Sequence, residues 1–184
     1  GDNLKVDLED LFKHIKYYFP NFAIPRVITS NSDVDYRNKI FLADNTLVIS
    51  LDNYLGKDHF FYEGIPNFIV ENMIESQIIS DVASVYSQIY TPKIQSRTFL
   101  AQMIYYGKIL YLKDLWLTNV ADEVKIGYSK EKLIWVNENE TEIWRNYIEN
   151  EYLFSTNPKL ASRFINPAPF SKFYLEIDND SPGM

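Results

Sequence analysis

The chain has 184 residues, 46% of them hydrophobic and 23% charged, with a formal net charge of −7 and a pI near 4.9. An acidic chain without a Lys/Arg cluster offers no phosphate-tracking groove, which excludes nucleic acid as a ligand. The absence of cysteine excludes disulfides, thiolate catalysis and sulfur-held metals.

No apolar run reaches the roughly 18–20 residues needed to span a bilayer. Aromatic residues stand out at 16%, with Tyr 14 and Phe 12. They supply a large core, or alternatively an aromatic surface for a partner or carbohydrate. In chain order, Asp7 is placed to cap a first helix in which Leu8, Leu11, Phe12, Ile15, Tyr18 and Phe19 recur at helical spacing, with Pro20 ending it. His14 falls on its polar side with Asp7 and Asp10 and reads as a surface histidine.

Three β-like runs follow, Arg26–Thr29, Lys39–Ala43 and Leu47–Leu51. Asp44-Asn45 between the last two predicts a hairpin. The stretch Asp52–Pro66 is an aromatic loop, either a functional loop or a packed crossover. His59 within it, beside Asp58, reads as a loop histidine making local hydrogen bonds. Helices are predicted over Ser76–Tyr90, Gln95–Leu112 and Lys130–Tyr152, with turns at Thr91-Pro92 and Ile126-Gly127. Asn157-Pro158 and Pro167-Ala168-Pro169 mark a final irregular stretch. Strands first and helices after predict an α+β fold.

Gln95–Leu112 is apolar on almost every side, which predicts a buried central helix. Gly107 inside it predicts close approach by a neighbour. Tyr105, Tyr106 and Lys108 are its polar tips, and Lys108 is expected to snorkel or to meet a carboxylate. Glu138, Glu140 and Glu142 read as a solvated face, opposite Trp135, Trp144, Tyr147 and Ile148. Asp178-Asn179-Asp180 lacks the spaced ligands of a calcium loop and reads as a turn. It leads into Ser181-Pro182, an N-cap followed by proline at the first helical position. That start of a further helix makes the sequence read as a piece of a longer protein.

The runs Thr98–Lys108, Lys125-Ile126-Gly127-Tyr128, Ile143-Trp144 and Arg163–Gly183 together resemble the GldB-type gliding-motility lipoproteins. So do Tyr17-Tyr18-Phe19-Pro20, Leu51–Gly56 and Arg97, and the resemblance covers about Leu11 to Gly183. It implies a periplasm-facing lipoprotein of the bacterial cell envelope, held to the membrane only by an N-terminal lipid anchor that precedes this sequence. Its partners would be envelope proteins of the motility or secretion machinery. Residues 1–184 would form one domain, without the family's N-terminal region and a C-terminal helix. The resemblance also implies a distant relation to zincin-type metallopeptidases. The expected fold is then a degenerate zincin-like one, a short N-terminal sheet with a helix-rich second half around a central buried helix.

Zincin chemistry needs two imidazoles at i and i+4 on that helix, with a glutamate beside the first. Here the corresponding pairs are Gln102/Tyr106, Met103/Gly107 and Ile104/Lys108. The chain therefore reads as non-catalytic, with no metal or cofactor, and as a binder of protein or peptide beside a strand edge. Candidate interaction or core-polar residues are Asp52, Tyr54, His59, Arg97, Tyr105, Lys108, Arg163, Lys172 and Glu176, and the candidate binding surfaces are the Tyr54–Pro66 loop and the Arg163–Glu176 segment. The alternative is a hydrolase-like enzyme using Lys108 with Tyr105, or Asp52 with His59. A third reading is a structural scaffold whose aromatic surface is an assembly interface.

Overall fold

The computed structural model describes residues 2–165. Lys172, Glu176, the Asp178–Asp180 turn and the Ser181-Pro182 cap lie outside the described residues. The fold is α+β, as the order of strands and helices predicts, and the chain divides into two compact units. One comprises Gly1–Tyr90 with Tyr111–Gly127, the other Thr91–Leu110 with Tyr128–Met184.

The first unit is built on strands β1 (Arg26–Ser30), β2 (Ile40–Ala43) and β3 (Thr46–Ser50). They form a sheet in the order β1-β3-β2, with β1 parallel and β2 antiparallel to β3. The Asp44-Asn45 hairpin forms as predicted, with Asp44 in the left-handed region at φ 51°. Strand alternation sends Leu47 and Ile49 to one face. There they pack with Leu8, Leu11, Phe12 and Ile15 of helix α1 (Asp2–Tyr18). Ile78, Ile79, Val82, Ala83 and Tyr86 of a helix over Ile78–Tyr90 complete this core, together with Trp116 and Leu117.

Helix α1 begins at Asp2, so Asp7 is an interior residue and not the cap. Leu4 extends the apolar stripe one turn further back and packs on the same core. A four-residue helix α2 (Asn67–Val70) and a 3₁₀ turn at Glu75–Gln77 lead into α3, the helix over Ile78–Tyr90. Helix α4 spans Phe99–Trp116, four residues later at each end than Gln95–Leu112. It is not buried all round: Ile104, Tyr106, Leu110 and Tyr111 are exposed, and a Cβ on Gly107 would meet nothing within 4 Å. Phe99 and Trp116 enter separate cores, and between them Ile109 is buried while its neighbours Lys108 and Leu110 are exposed.

Helix α5 (Asp122–Ile126) precedes the predicted turn, and Gly127 ends it with φ 79°. A side chain there would sit 3.6 Å from Asn72 Nδ2, an ordinary contact, so the cost is conformational. Gly127→Ala is expected to lower stability by about 1–2 kcal/mol, read as a shift of the urea midpoint at unchanged slope.

In the second unit the predicted single helix is two, α6 (Lys130–Glu138) and α7 (Glu140–Glu149). Asn139 breaks it. Its Nδ2 donates to the Trp135 carbonyl at 2.8 Å, an asparagine competing with the helix ladder. The expected irregular stretch also holds a helix, α8 (Pro158–Phe164), capped by Asn157 Oδ1 accepting from Lys159 N–H at 3.1 Å. Asn-Pro here is a cap followed by the first helical residue. Phe99, Tyr147, Leu160 and Phe164 form this unit's core.

Candidate functional site

The Asp52–Pro66 segment leaves β3 through a 3₁₀ turn at Leu51–Asn53, which turns Asp52 and Asn53 inward. Asp52 is buried and its carboxylate accepts from Ser32 N–H and Val34 N–H, both at 2.8 Å, and from the Ser32 hydroxyl. Burial alone would raise its pKa. The Val34, Ser32 N–H and Ser32 hydroxyl bonds outweigh that and hold the carboxyl below its ordinary 3.8. The turn so held is strained, with Asp33 at φ 55° and Val34 at φ 59°. A β-branched residue there is an outlier that only surrounding structure can maintain.

Tyr62 closes the loop from the other side. Its hydroxyl donates to the Asp52 carbonyl at 2.8 Å and accepts from Leu55 N–H at 2.9 Å. Gly56 N–H donates to the Met73 carbonyl at 3.0 Å. Between these anchors the chain presents a convex tip. The His59 ring stacks on Phe60 at 4.7 Å, Phe60 lies 4.5 Å from Phe61, and Phe61 N–H donates to His59 Nδ1 at 3.3 Å. His59 thus makes the local bond expected of it. Phe60 and Phe61 are 67% and 53% exposed, with Leu55 also open to solvent.

Tyr54 points inward. Its hydroxyl donates to Asp81 Oδ2 at 2.9 Å, and burial, then the Asp81 charge, push the phenol above its ordinary 10.0. Asp81 also pairs with Lys39, whose ammonium lies 5.2 Å over the Tyr54 ring. Lys113 of α4 is buried nearby and donates to the Lys125 carbonyl. Burial pulls its ammonium down to about 8, with Asp81 opposing the fall and Lys39 adding to it. Lys125 is fixed in turn by Asp114 and Asp122.

The structure thus brings Asp52 and Tyr54 into one anchored loop, with His59 at its tip. It does not join Asp52 to His59: the Asp52 carboxylate is taken by Ser32 and Val34, and His59 Nδ1 by the Phe61 N–H. The remaining candidates belong to the other unit. Arg97 is exposed, Tyr105 is half-buried against Tyr106 at 5.4 Å, and Arg163 lies 5.2 Å from the Phe164 ring. Lys108 is exposed and has no ion-pair partner among the described residues. The buried lysine of α4 is Lys113, five positions on. Lys39, Asp81 and Lys113 are not among the candidates read from the sequence: Lys113 falls one position past the predicted Gln95–Leu112 helix, beside Asp114. His14 corrects another expectation: it is half-buried, and its Nδ1–H donates to the Trp116 carbonyl at 2.7 Å. A carbonyl can only accept, so this bond fixes the proton on Nδ1 whenever the ring is neutral.

Among the described residues no group of three or more His, Asp or Glu is placed to hold a metal ion. No helix among them is long and apolar enough to cross a membrane. No curated protein and no solved structure matches the chain significantly. A family model described as gliding motility protein GldB matches residues 1–184, and the chain therefore belongs to the GldB family of gliding-motility lipoproteins.

Proposed function

We propose that this chain works in the cell envelope as a non-catalytic binding module of the motility machinery. Membership of the family supplies the setting. The observation that carries the reading is the Leu55–Phe61 tip. Two adjacent phenylalanines stand more than half exposed on a loop whose base is fixed by Asp52, Tyr54 and Tyr62. A loop without function would bury such rings or leave its own backbone loose. A rigid base presenting aromatic anchors has already met the ordering cost that binding otherwise incurs. Such side chains, seated in a partner's pocket, dominate interface energetics. A peptide added along the free edge of β2, beside exposed Phe41, would fit the same class of function.

The test is the double variant F60S/F61S, expressed at wild-type abundance in a gliding host lacking the native protein. Both side chains are exposed, so the denaturation midpoint should stay within about 0.5 kcal/mol of wild type. Gliding should nevertheless fail, and affinity for an envelope protein captured by crosslinking to the wild-type chain should fall about thirtyfold or more. A variant that is stable, abundant and glides normally would remove the tip from the function.

A further inference from the structure

A second site lies in the first unit, away from the aromatic loop. A cavity of about 290 Å³ is lined by Asp7, Asp10, Leu11 and His14 of α1, with Ile79 of α3, Trp116 at the end of α4 and the Leu117–Val120 segment after it. Its volume is at the low end for small-molecule sites, the size for one small group rather than a cofactor.

Its ionisable side chains are two carboxylates and an imidazole, and Ser76, Thr118 and Asn119 add neutral hydroxyl and amide groups. Asp7, Asp10 and His14 stand at i, i+3 and i+7, which stacks them on a single face of α1. Lys and Arg are absent from the lining. Because His14 Nδ1–H is committed to the Trp116 carbonyl, the ring's other nitrogen, Nε2, is an acceptor when neutral, and it has no partner among the described residues. The face therefore offers two carboxylates and one imidazole nitrogen, acceptors only. An ammonium carries three N–H donors and no acceptor. Leu11, Ile79, Val120 and Val124 supply apolar wall for the methylenes behind it. Trp116 also lines the cavity, and its buried indole N–H has no acceptor among the described residues. A ligand oxygen, such as the carbonyl that accompanies a lysine side chain in a peptide, is the kind of group that would satisfy it. Asp10 Oδ1 currently accepts from Lys13 at 2.9 Å, but that pair is exposed on both sides and weak enough to be displaced.

We infer that this cavity is a binding site for an alkylammonium group, received between Asp7, Asp10 and His14 with its aliphatic stem against Leu11 and Val120. The chemistry is shared by free alkylamines and by the lysine side chain of a peptide. The site stands independently of the Phe60-Phe61 tip.

The chain has two histidines, so imidazole NMR gives one reporter in the cavity and one internal control. Titration of the full chain with n-butylamine and, separately, with an acetyl-Gly-Lys-Gly-amide peptide should shift the His14 ring signals saturably and leave His59 unmoved. Saturation by both amines with tighter binding of the peptide assigns the site to a lysine side chain; tighter binding of butylamine assigns it to a free amine. In D7N/D10N, both surface substitutions, the affinity should fall about ten- to a hundredfold while the thermal midpoint is kept. The inference is overturned if His14 does not respond to either amine, or if 1-butanol shifts it equally, which would make the cavity merely apolar. It is also overturned if D7N/D10N binds as wild type does.

Discussion

Asp81→Ala is expected to lower stability by about 2–4 kcal/mol, because it strips a half-buried charged acceptor from both Lys39 and the Tyr54 hydroxyl. Among the described residues, Asp81 is the carboxylate that faces Lys39, the Tyr54 hydroxyl and the buried Lys113. Without it, Lys113 keeps only the Lys125 carbonyl as a partner and Lys39 loses its counter-charge. The measurement is equilibrium urea unfolding at neutral pH, with an unchanged slope showing that the fold is retained. A loss below about 1 kcal/mol would show that the cluster is solvated and not structural.

Lys113 gives the same cluster a pH signature. Its folded-state pKa, about 8, lies below the ordinary 10.5, so between those values the unfolded chain holds more protons than the folded one. Stability therefore rises with pH across that interval, and the penalty for burying the charge is fully present below about 8. The fall from 10.5 to about 8 corresponds to on the order of 3 kcal/mol. Tyr54 acts oppositely at the alkaline end. Its raised pKa means that the unfolded chain loses this proton first, so stability declines above about pH 10. Lys113→Met should be more stable than wild type at pH 7 by about 2 kcal/mol, once the lost bond to the Lys125 carbonyl is deducted. That advantage should vanish by pH 10, which separates burial of a charge from loss of packing.

Asp52→Ala is the second large effect, about 2–4 kcal/mol, because it strips the acceptor from two backbone N–H groups at once. Ser32 and Val34 would lose those bonds in a turn already held at positive φ. Loss should appear first as faster amide exchange over residues 32–36, before any global change. Acid should mimic the substitution. The depressed pKa of Asp52 contributes stability above its unfolded value of about 3.8, and this is lost as pH falls through the lower folded-state pKa. Because Asp52 also anchors the loop that presents Phe60 and Phe61, its removal should weaken partner capture even where the fold survives. Unchanged capture would separate the strained turn from the binding tip.

Much of the architecture was legible from local chemistry. The alternating runs around Asp44-Asn45 made the hairpin readable, and the stripe from Leu8 to Phe19 made α1 readable, since period and turn residues act over a few positions. Boundaries failed where a side chain overruled the period. Asn139 bonds back to Trp135 and splits one predicted helix into two. Asn157 and Pro158 open a helix in what read as an irregular stretch.

The site divides along the same line. Sequence alone determined the α+β class, the lack of an imidazole pair on the long helix, and the aromatic loop with its local His59 bond. Only the tertiary structure decided which charge is buried. Lys108 and Lys113 sit in the same apolar helix, and nothing within that helix distinguishes them. The choice falls to what approaches each: α5 and Asp81 enclose Lys113, whereas Lys108 is left to water. Likewise His14 has the same helical neighbours whether it faces solvent or the Trp116 carbonyl, 102 positions away. Periodicity fixes which side of a helix a residue occupies, but the burial of a polar group depends on long-range packing, because only another element can exclude water and supply the bond that replaces it.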